Sequence, residues 1–220
     1  MQKLAILAVL LTLAGCGSAT PRATTPTTAA HPAALAVDGE RHMLRGVPDV
    51  MQHNNYTCGV ASAQCVMQYY GIWGYQDGMG KAMGTTEAQG THPVRVTEYL
   101  TKQKLDAKIV EGMTLADLEH IVDEGALTII DYQAYKDKPG VDYATDWEDG
   151  HYSVVVGYDS KKIYIEDPSM LGSVGFLGRQ ELESRWRDYE VENGKRRPYV
   201  NMGIVVRGKA APQPAFTHID

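Results

Sequence analysis

The chain has 220 residues and a formal net charge of −6, with 21 Lys and Arg against 27 Asp and Glu. That balance gives no basic footprint for nucleic acid, and no Lys/Arg-dense helix points to electrostatic attraction to lipid. Three cysteines are an odd number for a disulfide scaffold, and the seven histidines form no His-Glu-x-x-His pair and accompany no Cys-x-x-Cys, so neither metal nor cofactor is expected.

Met1-Gln-Lys is a short basic start to an apolar run, Leu4 to Leu13, that is too short to span a bilayer permanently. It reads as a bacterial export signal over residues 1–15. Leu13-Ala14-Gly15-Cys16 looks like a lipobox, cleaved before Cys16, with acylation of that cysteine anchoring the mature chain to a membrane. The plain alternative is a secretory signal with a stray cysteine. On the lipobox reading the protein is exported and held at the cell envelope, on the outer membrane or in the periplasm if there are two membranes. Residues 16–46, rich in Thr, Ala and Pro, contain few large apolar side chains and read as a disordered tether. Residues 47–207 are long enough for a single core, and 208–220 read as a flexible tail.

The folded part begins with a loop that runs into a helix. Thr57 suits an N-cap, residues 58–70 lack proline and contain only Gly59 as an internal glycine, and Gly71 stands where a left-handed C-terminal residue is wanted. Cys58 then opens the helix, where unpaired amides and the helix dipole favour thiolate over thiol. It is the candidate nucleophile, against the plain reading of a small buried residue. Gln52, six residues earlier, has a side-chain amide suited to donating to an oxyanion beside the Cys58 backbone amide. His53 reads as a surface-loop histidine, and Asn55-Tyr-Thr57 as a chance match to a glycosylation acceptor. Cys65 is read as a core thiol: seven residues of helix separate it from Cys58 by about 10 Å, beyond the roughly 7 Å limit of a disulfide.

Trp73 to Gly90 predicts a surface loop, with or without a short helix, beside the cleft. It holds no phosphate-binding loop, because Gly80-Lys81 is followed by Ala82. A helix of about ten residues is expected from Thr91-His-Pro93, a short strand at Ala107 to Val110, a helix from the Thr114 cap to Glu124, and a strand from Ala126 to Tyr132. Gln133 to Gly150, with Asp142, Asp146, Trp147, Glu148 and Asp149, predicts an acidic loop that either selects basic substrates or is simply solvated.

His151 opens a run of strand composition, and Ile163 to Pro168 reads as its hairpin partner after a two-lysine turn. The separation of 167 − 151 = 16 residues suits a cross-strand approach of His151 and Asp167, in which the carboxylate holds the imidazole in one tautomer. Nucleophile, base and orienter are then all present. Beyond them a strand is expected within Gly172 to Leu177, an amphipathic helix over Arg179 to Tyr189, and a last strand over Asn201 to Arg207.

These motifs resemble the C39 cysteine peptidases of the papain-like clan, best known as leader-cleaving domains of bacteriocin exporters. Gln52, five intervening residues, Cys58-Gly59 and a helix ending in Tyr-Tyr-Gly look like that family's oxyanion and nucleophile motif. His151, a hydrophobic strand, a polar turn and Asp167-Pro168 look like its second motif. The resemblance runs over residues 47 to 207. It implies an α+β, papain-like fold in which a helix carrying the nucleophile packs on an antiparallel sheet, and a peptide or protein substrate. Thr57 stands where exporter domains commonly carry aspartate, and an exported, free-standing chain differs from cytosolic exporter domains, so leader specificity does not carry over. The expected function is peptide hydrolysis by Cys58, His151, Asp167 and Gln52. The alternatives are another acyl transfer on the same fold, amidase or transamidase, and a non-catalytic module that binds a peptide or partner.

Overall fold

The computed structural model describes residues 36–38, 41–209 and 211. The expected signal peptide, Cys16, residues 16–35 of the tether and nearly all of the tail lie outside the described residues. In chain order the elements are β1 (Ala36–Asp38), β2 (Arg41–Met43), α1 (Cys58–Tyr69), α2 (Gln76–Met83), α3 (Pro93–Lys102), β3 (Asp106–Val110), α4 (Leu115–Asp123), β4 (Leu127–Gln133), β5 (Gly150–Tyr158), β6 (Lys162–Glu166), β7 (Gly175–Gly178), α5 (Arg179–Arg185), β8 (Arg187–Glu192), β9 (Lys195–Val200) and β10 (Gly203–Arg207).

Eight strands form one antiparallel sheet in the order β1-β2-β5-β4-β10-β3, with β6 along β5 and β7 outside β6. Strand β4 is buried at every position and β5 at seven of nine. These two strands are therefore covered on both faces, and their near-continuous apolar composition follows from that. Helix α1 packs against β5, α2 and α3, with Val60, Ala61, Ala63, Cys65, Val66 and Met67 all essentially inaccessible. Its small residues and absence of charge suit a helix enclosed on most sides. Gly71 takes φ 76°, as its place after the helix requires. Pro93 opens α3 after the His92 cap, and Thr114 and Asp117 close a capping box on α4. The sequence left Trp73 to Gly90 open between loop and helix; α2 occupies its middle.

Two readings need correction. The tether was expected to run to residue 46, but residues 36–38 and 41–43 are strands, and His42 and Met43 pair with Tyr158 and Gly157 of β5. The ordered sheet thus starts before residue 47, because the free edge of β5 at Gly157 and Tyr158 accepts a strand there. The expected helix over Arg179 to Tyr189 stops at Arg185. Trp186 is buried, its indole N–H donates to the Met202 carbonyl at 2.8 Å, and its own carbonyl accepts from the Asn201 amide at 2.9 Å. Those bonds draw the backbone out of the helix and start the β8–β9 hairpin, closed at Asn193 (φ 52°) and Gly194 (φ 75°). Two consecutive left-handed residues make the type I′ turn, for which Asn-Gly is the preferred pair.

Candidate active site

Cys58 is the first residue of α1. Thr57 stands at the N-cap without capping through its side chain: its hydroxyl donates to the Asn54 carbonyl at 3.1 Å and accepts from the Asn54 amide at 3.2 Å, closing the preceding turn. The first-turn amides are thus left for another acceptor, and the Cys58 sulfur takes the Gly59 amide together with that of Tyr152 from β5. Close packing makes this approach possible. A β-carbon at Gly59 would lie 3.2 Å from both Thr91 Cβ and Tyr152 Cδ2, so glycine lets the helix start sit against the strand.

His151 is the second residue of β5, buried, and in register with Tyr132 of β4. Its Nε2 lies 2.9 Å from Asp167 Oδ1, just beyond the end of β6, which leaves Nδ1 for the Cys58 thiol. A bulge between Val155 and Gly157 shifts the β5–β6 register, and the His151–Asp167 contact is made across the open end of the pair. Four donors hold the carboxylate. Oδ1 accepts from His151 and from the Ser169 amide at 2.8 Å; Oδ2 accepts from the hydroxyls of Tyr132 at 3.2 Å and Tyr135 at 3.0 Å. Both tyrosine rings also meet the imidazole edge to face, at 5.9 and 5.0 Å between centroids.

The electrostatics follow from these partners. Burial works to raise the Cys58 thiol, but the hydrogen bond and charge of His151, with the two backbone amides, outweigh it and lower the thiol below its usual value. Burial pulls His151 down, yet its hydrogen bonds and charge interactions with Asp167 and Cys58 raise it to about 9. Burial likewise opposes the charge on Asp167, and His151, Ser169 and Tyr135 hold its carboxyl below the ordinary value. The three groups thus favour one another's charged forms: imidazolium draws the thiol toward thiolate and the carboxylate sustains the imidazolium.

Gln52 lies on the wall of the same cleft, which encloses about 600 Å³ and is lined by Cys58 and His151. The Gln52 backbone amide donates to the Pro168 carbonyl at 2.9 Å, its Nε2 to the Asn54 carbonyl at 2.8 Å, and its Oε1 accepts from the Ser169 hydroxyl at 3.2 Å. These contacts fix the amide with one N–H still to give. Glu87, Asp137, Glu148, Asp149, Asp188 and Glu190 also line the cleft, and its lining contains no lysine or arginine. Part of the acidic segment before His151 is therefore cleft wall. The sequence did not indicate Tyr132, Tyr135 or Ser169 as partners of the site, nor Asp188 and Glu190, which reach it from β8. For the last two a signal existed, since Asn193-Gly194 between two six-residue runs marks a hairpin. For the tyrosines there was none.

The remaining candidates lie elsewhere. Cys65 is buried, donates to the Pro48 carbonyl at 3.3 Å, and has its thiol pushed well up by burial and by Glu166. Both described cysteines are free. His53 sits on the surface beside Asp77, at 3.3 Å. Among the described residues no cluster of three or more His, Cys, Asp or Glu side chains is arranged to hold a metal, and no helix is long and apolar enough to cross a membrane.

Comparison with known proteins places the chain in a family. Residues 44–191, more than half of the chain, match the model of the Peptidase_C39 like family, and the chain belongs to that family. The fold is that of solved C39 structures. A C39-like protein from Bacillus anthracis aligns with a TM-score of 0.57 at 19% identity, over 78% of this chain and 100% of that one. The peptidase domain of Streptococcus ComA, an ABC transporter involved in quorum sensing, aligns with a TM-score of 0.53 at 19% identity, over 71% and 95%. A double glycine motif protease of an AMS/PCAT transporter, solved with its leader peptide, gives 0.52 at 18%, over 73% and 90%. No curated protein matches the sequence.

Proposed function

We propose that the protein is a cysteine peptidase that hydrolyses peptide bonds in a peptide or protein substrate. The observation that carries this reading is the buried chain of hydrogen bonds from Cys58 through His151 to Asp167, ending at an open cleft. The Cys58 thiolate attacks the scissile carbonyl and forms a C–S bond. The remaining Nε2–H of Gln52 and the Cys58 backbone N–H take the developing oxyanion. The His151 imidazolium gives its proton to the leaving amine as the C–N bond breaks, then removes a proton from the water that attacks the thioester and releases the acid. Asp167 keeps the imidazole oriented throughout.

The acidic lining of the cleft, in which Glu87, Asp137, Glu148 and Asp149 stand with no lysine or arginine, supports a substrate that carries positive charge near the scissile bond. A peptide library incubated with the full-length chain and read by mass spectrometry tests both points. Cleavage enriched near Lys and Arg, abolished in Cys58→Ala and kept in Cys65→Ala, is the expected result. Equal loss from both substitutions would sink the assignment of the nucleophile, and absence of cleavage by a chain with an activated thiol would favour another acyl transfer.

The lipobox at Cys16 makes the cell envelope the site of action in this reading. Fractionation checks it. Cys16→Ser should move the chain out of the membrane fraction, and a variant that stays there would remove the anchor from the proposal.

A further inference from the structure

Tyr135 sits two residues beyond the end of β4 with φ 56°, in the left-handed region that side chains bearing a β-carbon rarely adopt. The chain on both sides is tied down. The Ala134 amide donates to the Asp149 carbonyl at 2.8 Å, Gln133 Oε1 accepts from the Asp149 amide at 2.8 Å, and the Lys136 amide donates to the Tyr143 hydroxyl at 2.9 Å. A glycine would sit there without strain, and the position holds a tyrosine instead. Such an outlier argues for a task done by the side chain.

Its geometry shows the task. The backbone turn brings the phenol back over the His151–Asp167 pair, with the hydroxyl 3.0 Å from Asp167 Oδ2 and the ring edge to face on the imidazole at 5.0 Å and 81°. The residue is still 52% exposed while His151 and Asp167 are buried, so it stands between the pair and solvent. It also divides the cleft from a second hollow of about 510 Å³, which Asp167, Phe176 and Arg185 line from the other side. Tyr132, the other phenol on Oδ2, is buried and belongs to the sheet; Tyr135 comes from a loop.

We infer that Tyr135 is a positioning residue for the proposed reaction: its hydroxyl completes the hydrogen-bond shell of Asp167 and its ring screens the His151–Asp167 contact from water, so that the imidazolium beside Cys58 is sustained. This inference rests on the peptidase reading above. The chemistry is a proton balance. With one donor fewer, the carboxylate stays ionised but is held less firmly against Nε2, so it supports the imidazolium less, and the thiolate that the imidazolium stabilises is protonated at a higher pH. The other titratable groups facing Tyr135 are Tyr132, Tyr143 and Arg185, and none of them donates in its place to Asp167 Oδ2 except Tyr132, which is already bound there.

The test is the rate of Cys58 alkylation by iodoacetamide between about pH 5 and 9 on the full-length chain, with each cysteine followed by mass spectrometry. Tyr135→Phe keeps the ring and deletes only the donor. It should move the acid limb of Cys58 labelling up by about 0.5–1 pH unit, a three- to tenfold slower reaction near pH 6, and leave the rate near pH 9 unchanged. Tyr135→Ala should shift the limb further, since the screen is lost as well, and Tyr75→Phe, on a ring 88% exposed and far from these contacts, should follow the wild type. A Tyr135→Phe profile that superimposes on the wild type overturns the inference, as does a loss equal at every pH, which marks a merely structural role. The two readings fail differently. An ordinary thiol profile near pH 8.5 in the wild type itself defeats the peptidase reading, and this inference with it, whereas an activated wild type with an unmoved Tyr135→Phe defeats the inference alone.

Discussion

Two thiols seven residues apart on one helix have opposite chemistry, and the difference lies in what each sulfur faces. Cys58, on the first turn, meets two backbone amides and an imidazole; Cys65, two turns on, meets a carbonyl and the Glu166 carboxyl in a dry core. The sequence predicts this contrast, because helix position and cysteine spacing are local facts. The approach of His151 and Asp167 was readable for a similar reason: a short hairpin leaves few ways to arrange its ends. The anchoring of Gln52 was not. Its amide is oriented by the Ser169 hydroxyl and the Asn54 carbonyl, two loop groups whose meeting depends on where the chain goes after β6. Ser169 also donates its backbone amide to Asp167, so one residue holds both Gln52 and Asp167. Gln52→Ala should therefore lower kcat by about 10²–10³ with little change in KM, since an oxyanion exists only in the transition state. Ser169→Ala keeps the backbone bond and leaves the amide held by the Asn54 carbonyl alone, so a loss of about tenfold in kcat is expected. Steady-state kinetics on a cleaved peptide decides the point, and a rise in KM at constant kcat would make Gln52 a substrate-binding residue instead.

At the scale of elements, the parts with strong local signals matched expectation: α1, α3 with Pro93 at its start, α4 with its capping box, and the β5–β6 hairpin. The failures share a cause, which is tertiary contact overriding a local pattern. Arg179 to Tyr189 contains apolar residues at helical spacing, Leu182 and Trp186, and the helix forms for seven residues. It ends because the Trp186 indole has a buried acceptor at Met202, sixteen residues later, which no window of local sequence contains. The β8–β9 hairpin that follows has few apolar residues to show a period of two, and Pro198 in β9 reads as a breaker although it is tolerated in an isolated two-stranded ribbon. The consequence is functional. This ribbon delivers Asp188, Tyr189 and Glu190 to the cleft, so the element hardest to read supplies part of its wall.

For the whole molecule, packing a cleft of this kind into one small domain leaves several carboxyls with too little water. Glu166, Asp188 and Glu190 are pushed up to about 7, 6 and 7, each chiefly by burial. Their ordinary values lie near 4, so between about pH 4.5 and 7 the folded state holds protons that the unfolded chain has released. Stability must then fall as pH rises through that window. His151 adds to the trend at higher pH: held at about 9, its contribution is complete below its unfolded value near 6.5 and is lost as pH climbs through 9. Asp167, held low, acts on the other side, with stability lost only as pH falls below about 4. Thermal unfolding should accordingly peak near pH 5 and decline toward pH 8. Glu166 offers the cleanest single test, because it is 5% exposed and its Oε1 accepts from the Val50 amide at 2.8 Å, a bond that a glutamine oxygen can keep. Raising its value from 4.5 to about 7 corresponds to about 3 kcal/mol lost above neutral pH. Glu166→Gln should therefore flatten the pH dependence of the unfolding midpoint between pH 5 and 7.5 and raise the midpoint at pH 7.5 relative to the wild type. A variant whose midpoint runs parallel to the wild type across that range would show that Glu166 is ionised in the fold at neutral pH, held so by the Val50 amide and the Cys65 thiol against the cost of burial.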